Sequence, residues 1–219
     1  MKIPKIEGLY GITPDLMDTA DLLSRTQQAI IGGAKIIQYR NKRASQPVLT
    51  EQAQLLLQLC RDYQIPLIIN DHVDLAADID ADGVHLGQHD AQMTYARERL
   101  GHTKIIGISC HNSLDFAIRA EHEGADYVAF GAFFPSLTKP DAVSVPMSVM
   151  AQANKSISIP IVAIGGIRLT NAKSVIEKGC AAIAVCNELF SADEIVATAA
   201  QFAQLSEKTY HKHQYPLNF

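Results

Sequence analysis

Eight short apolar runs recur along the 219-residue chain, each followed by a stretch with helical spacing. No Pro-, Gly- or Ser-rich linker interrupts the series, and composition does not shift before residue 208. These observations predict a single α/β domain, a (β/α)8 TIM barrel over residues 1–207, with residues 208–219 forming a polar C-terminal tail.

The runs are GLYGITP at 8–14, AKIIQYR at 34–40, PLIIND at 66–71, GVHLGQ at 83–88, KIIGISC at 104–110, YVAFGAF at 127–133, IPIVAIGGI at 159–167 and AAIAVCN at 181–187. Most are continuously apolar rather than strictly alternating, the pattern of strands covered on both faces of a parallel sheet. Helical spacing is clearest at 48–63, where Leu49, Ala53, Leu56 and Cys60 share a face and Glu51, Gln54 and Gln58 lie off it. Ser45 and Pro47 supply a cap and a first-turn proline for that helix. Further helices are expected near 20–32, 90–100, 113–123, 146–155, 170–178 and 191–207, with a short one at 72–80. Gly32-Gly33, Gly101, Gly124 and Gly179 follow helices, where the chain turns left-handed. A doubly wound open sheet is the alternative, but Gly8-Leu9-Tyr10-Gly11 lacks the G-x-G-x-x-G turn of its dinucleotide-binding forms.

Composition narrows the function. Hydrophobic residues make up 47% and charged residues 19%, enough apolar surface for a substantial core, which excludes general disorder. Apolar stretches fall short of the ~20 residues a membrane helix needs, and the opening MKIPKIEGLYGITP lacks the features of a signal peptide. A net charge of −4, from 19 basic and 23 acidic residues, argues against a nucleic-acid binder. Cys60, Cys110, Cys180 and Cys186 match neither redox nor zinc spacings, so reduced thiols in a cytoplasmic protein are expected. Cys110 and Cys186, which end apolar runs, read as packing residues. The sequence sets no oligomeric state.

In such barrels the chemistry sits at the C-terminal ends of the strands. Strand 2 offers Gln38, Arg40 and Lys42, whose spacing of two puts them on one side of an extended chain. They suit an anion site; a structural salt bridge is the other reading. Strand 3 ends in Asn70-Asp71 and strand 4 leads to Asp90. These hard oxygen donors suit Mg²⁺, while Asp71 and Asp90 could equally cap the helices that follow. Strand 5 ends Ser109-Cys110-His111-Asn112: Ser109 can donate to a ligand, and His111 could move a proton or simply pack. The connection FFPSLTKPDAVSVP at 133–146 is long enough for a binding segment or lid and carries Ser136, Thr138 and Lys139, two hydroxyls and a cation suited to phosphate. Strand 7 ends Gly165-Gly166 and strand 8 ends Cys186-Asn187, at the usual phosphate site of these barrels. Two anion sites in one mouth, one with a metal, point to two phosphorylated small molecules being joined, or to a group being moved from one onto the other.

The motifs Gln-x-Arg-x-Lys at 38–42, IIND at 68–71, DGVHLGQHD at 82–90, GISCH at 107–111, FFPSLTK at 133–139 and AIGGI at 163–167 together resemble the thiamine-phosphate synthase family. The resemblance implies a cytoplasmic transferase of thiamine biosynthesis. It would condense 4-amino-2-methyl-5-hydroxymethylpyrimidine pyrophosphate with thiazole ethyl phosphate, by a dissociative, Mg²⁺-assisted route. It implies that Gln38, Arg40, Lys42, Asn70 and Lys139 bind pyrophosphate, that Asp71 and Asp90 ligate magnesium, and that Ser109 lies near the pyrimidine. Arg40, Lys139 and Ser109 would be the catalytic residues. Ser136, Thr138, Gly166, Cys186 and Asn187 fall on the thiazole phosphate side. The sequence departs from the family pattern in two places: Ser136 stands for Thr, and Cys186-Asn187 stands where an aliphatic residue and Ser are expected. The alternatives are a same-fold isomerase resembling thiazole tautomerase, which would not need the strand 2 set and both aspartates, and a barrel that binds thiamine precursors without turning them over. No nucleic-acid or membrane partner is expected.

Overall fold

The computed structural model describes residues 5–87, 92–135 and 144–214, with side chains through residue 207. Its strands are β1 (Gly8–Ile12), β2 (Ala34–Tyr39), β3 (Leu67–Asn70), β4 (Gly83–Leu86), β5 (Ile105–His111), β6 (Tyr127–Phe130), β7 (Ile161–Ile164) and β8 (Ala182–Val185). Between and after them run α1 (Thr19–Ile31), α2 (Gln46–Asp62), α3 (Val73–Asp78), α4 (Met93–Leu100), α5 (Leu114–His122), α6 (Met147–Ser156), α7 (Ala172–Ile176), α8 (Asn187–Phe190) and α9 (Ile195–Gln214). Every strand pairs in parallel with the next, and β8 returns to β1 through Gly8↔Ala182 to Gly11↔Val185, closing the expected barrel.

The strand period of two sorts side chains into two cores. Leu9, Ile37, Ile69, Val84, Ile106, Val128, Ala163 and Ile183 face outward and pack beneath the helices. Tyr10, Ile36, Ile68, Ile105, Tyr127, Val162 and Ala182 fill the barrel interior. The same parity selects the mouth. Two residues on from Ile36 is Gln38, then Arg40; from Ile68, Asn70; from Ile105, Gly107 and then Ser109; from Ala182, Ala184 and then Cys186. The polar groups at the strand ends are thus carried inward by the alternation that buries the apolar ones below them.

Two elements differ from expectation. α8 is a four-residue turn of helix, too short to display a helical period in sequence. α9 continues past residue 207 to Gln214, because no Gly or Pro breaks the chain between Ile195 and Gln214; the first is Pro216. In α2, Ser45 is the N-cap residue and proline sits in the first turn as expected, but the Ser45 side chain makes no capping bond.

Candidate active site

The end of β1 grips the end of β2. Thr13, fully buried, donates its N–H to the Gln38 carbonyl (2.9 Å). Its hydroxyl accepts from Arg40 N (3.0 Å) and donates to Arg40 O (3.2 Å). Asp15 Oδ1 accepts from Arg40 Nη1 at 2.9 Å and from Lys42 N at 3.0 Å. Asn41 Nδ2 donates to Leu16 O at 2.8 Å. The guanidinium is therefore part of a salt bridge and also stands at the mouth, its side chain 16% exposed. The salt-bridge reading of Arg40 is met by Asp15, and the side chain keeps its place at the mouth.

Lys42 reaches across to β3, with Nζ 3.3 Å from Asp71 Oδ2. Asp71 has a left-handed backbone (φ +65°), a strained setting for a side-chain-bearing residue, fixed by its N–H bond to His85 O at 2.9 Å. It does not cap α3: His72 occupies the cap position. Its carboxylate meets a cation at the strand end instead, beside the half-buried Asn70.

A buried chain of polar groups crosses the interior beneath this edge. Gln38, 3% exposed, donates from Nε2 to the Tyr10 hydroxyl at 2.9 Å. Tyr10 and Tyr127 hydroxyls lie 2.8 Å apart. Tyr127 OH lies 2.9 Å from His85 Nδ1, and His85 Nε2 lies 2.8 Å from Ser109 Oγ. The rings interlock, Tyr10 edge-on to Tyr127 and His85 stacked on it with centroids 5.5 Å apart. Gly107 makes room for this: a Cβ there would lie 2.0 Å from a Tyr127 ring atom. Burial pushes both phenols above their ordinary values, so they remain neutral.

At β8, Cys186 is half-buried and packs against the interior core. Burial pushes its thiol up to about 11, with Arg40 pulling it down and Asp15 up. Asn187 is exposed at the start of α8. Gly166 has φ +62°, and a Cβ there would lie 2.3 Å from Pro135 O. The β6–α6 connection is tied to this corner by Phe133 N to Ile164 O (3.2 Å) and Phe134 N to Gly165 O (3.1 Å). His111 is exposed beyond a bulge in the β5–β6 pairing.

The structure thus gathers Gln38, Arg40, Lys42, Asn70, Asp71 and Ser109 on the ends of β2, β3 and β5, with Cys186 close enough to Arg40 to feel its charge. Asp90, Ser136, Thr138 and Lys139 lie outside the described residues. Sequence reasoning missed Thr13, Asp15, Tyr10 and Tyr127 and gave His85 no role. His85 carried a usable signal, a polar residue of inward parity inside GVHL.

A family model described as thiamine monophosphate synthase matches residues 9–189. The chain is 53% identical over 203 residues to a thiamine-phosphate synthase of Methylobacillus flagellatus, covering 93% of this chain and 97% of that one. It is 52% identical over 204 residues to a thiamine-phosphate synthase of Nitrosospira multiformis, covering 93% and 87%. Among solved structures, a thiamine phosphate pyrophosphorylase from Pyrococcus furiosus superposes with a TM-score of 0.84 at 34% identity, over 92% of this chain and 96% of that one.

Proposed function

The chain belongs to the thiamine monophosphate synthase family, and from that premise we propose that it joins an aminopyrimidine methyl pyrophosphate to thiazole ethyl phosphate. The products are thiamine phosphate and pyrophosphate, which makes the protein a transferase. One observation carries the reading onto this chain: the inward parity that brings Gln38, Arg40, Asn70 and Ser109 to one rim, with the Asp71 carboxylate beside Asn70.

The carbon–oxygen bond to pyrophosphate breaks with its electron pair leaving on oxygen, and the thiazole nitrogen lone pair forms the new carbon–nitrogen bond. No protein nucleophile is needed. The barrier lies in charge building on the departing pyrophosphate, and donors already aimed at that charge lower it. Arg40 is such a donor, held by Asp15 before any ligand arrives. Lys42 adds a mobile ammonium, its side chain 55% exposed. Lys139 joins them by resemblance, and Gln38 and Asn70 supply neutral donors.

Asp71 offers a hard carboxylate whose Oδ2 already faces a cation, so the donor fits Mg²⁺, with Asp90 as the second ligand that the resemblance implies. Bound there, Mg²⁺ would neutralise charge on the leaving pyrophosphate. Ser136, Thr138, Gly166, Cys186 and Asn187 form the thiazole phosphate side of the proposal. Four free cysteines fit a cytoplasmic enzyme, and no described helix is long and apolar enough to cross a membrane.

The test is turnover by the purified protein with both substrates and Mg²⁺. Thiamine phosphate and pyrophosphate should form in equal amounts, with activity abolished by a chelator and restored by Mg²⁺. Isomerisation of a thiazole carboxylate phosphate without coupling would identify the tautomerase-like alternative. Saturable binding of both substrates without product would identify a non-catalytic barrel.

A further inference from the structure

We infer that the buried chain Gln38–Tyr10–Tyr127–His85–Ser109 is proton-ordered, and that its order holds Ser109 as a hydrogen-bond donor toward whatever occupies the mouth. Tyr10, Tyr127 and His85 are then positioning residues, acting on the ligand through Ser109. The ligand side of this inference rests on the proposed pyrimidine pyrophosphate site; the proton order does not.

The argument is a count of protons. A phenol has one proton to give and lone pairs to receive. Gln38 Nε2 donates to Tyr10, so the Tyr10 oxygen already accepts one bond. Among the described residues, the Tyr10 proton has Tyr127 as its only acceptor. Tyr127 accepts from Tyr10 and spends its own proton on His85 Nδ1. A neutral imidazole that accepts at Nδ1 carries its hydrogen on Nε2. That hydrogen goes to Ser109 Oγ, and the Ser109 hydroxyl proton is left over for the mouth. The reverse order would turn the Ser109 proton inward and strand the Tyr10 proton in a fully enclosed interior. Stranding a buried donor is what folded proteins avoid.

The consequence is a polarity filter. The ligand atom opposite Ser109 must bring a lone pair: a ring nitrogen of an aminopyrimidine or an oxygen of pyrophosphate. A ligand that presents an N–H at that point meets a second donor.

Nitrogen-15 NMR of the histidines in the intact, ligand-free protein tests the order directly. His85 should show a protonated Nε2 and an acceptor-type Nδ1, with the signal assigned through its loss in His85→Gln. A protonated Nδ1, alone or together with Nε2, would overturn the inference. Tyr127→Phe keeps the ring and removes the link; His85 should then lose its single tautomer and show both. A kinetic cycle adds the functional arm. Tyr127→Phe should lower kcat/KM about tenfold in the wild type and leave it unchanged in a Ser109→Ala background. An equal loss in both backgrounds would mean that Tyr127 acts only as scaffold. Titrations with Mg²⁺-pyrophosphate and, separately, with the unphosphorylated pyrimidine alcohol show which one supplies the lone pair, by which one shifts the His85 Nε2 signal; a signal moved by neither would overturn the role of Ser109. The ligand-free tautomer stands whatever the turnover assay gives, so the two readings fail separately.

Discussion

Arg40 meets two kinds of anion. Without ligand it has the Asp15 carboxylate at 2.9 Å, and in turnover the proposed partner is pyrophosphate. Arg40→Met should therefore lower kcat by about a hundredfold or more, the size of effect seen when an aimed donor is removed. Asp15→Asn should do something different. The guanidinium stays but loses its fixed direction, so KM for the pyrimidine pyrophosphate should rise several-fold while stability falls by about 1–2 kcal/mol. Steady-state kinetics beside urea melts separate the two, and an Asp15→Asn enzyme indistinguishable from wild type would show that Arg40 is aimed by something else. Arg40 was legible in sequence because it continues an Ile-Ile run at a strand end. Asp15 was not: it follows Pro14 like any loop residue, and its reach depends on Thr13 pairing with Gln38. Tyr10 and Tyr127 were hidden for a similar reason. Each stands in an apolar run and reads as core, and only the closed barrel brings their hydroxyls within 2.8 Å across 117 residues of chain.

At the scale of elements, the turn after β7 and the start of the β6–α6 connection behave as one unit. Gly166 lies against the backbone carbonyls of Phe134 and Pro135, and its own carbonyl accepts from Asn171 at 3.0 Å. Gly166→Ala adds a methyl where none fits, on a backbone that side chains disfavour. It should cost about 1–3 kcal/mol and raise KM for thiazole phosphate more than KM for the pyrimidine substrate. Equal KM values for both substrates before and after the change would detach this corner from the thiazole side. The strands were the most legible elements, since continuous apolar runs bounded by polar residues mark two-sided burial. The least legible was one that no period can report: α8 with four residues, where one turn of helix looks like any loop.

The whole molecule carries an alkaline limit. Burial raises the thiols of Cys60, Cys110 and Cys180 to about 12 and Cys186 to about 11, from an ordinary value near 9. A group whose pKa is higher in the folded state holds its proton more tightly there. Its stabilising effect is complete below pH 9 and is lost as pH climbs through 11 to 12. At pH 10 each thiol should already have cost ~1 kcal/mol. The urea midpoint should fall steeply from pH 9 to 10.5 and fall less in a Cys60→Ala, Cys180→Ala double variant; a flat midpoint over that range would refute it. The fold itself was legible because eight repeats of one pattern fit few architectures. The seam between β1 and β8 that closes it has a consequence for synthesis. Residues 8–11 wait for residues 182–185 before their outer edge is paired. A nascent chain of this protein therefore carries an open sheet edge through most of its translation, and at ~5–20 residues per second that exposure lasts on the order of ten seconds or more. During that interval the unpaired N–H and C=O groups along β1 offer an edge on which another strand can pair.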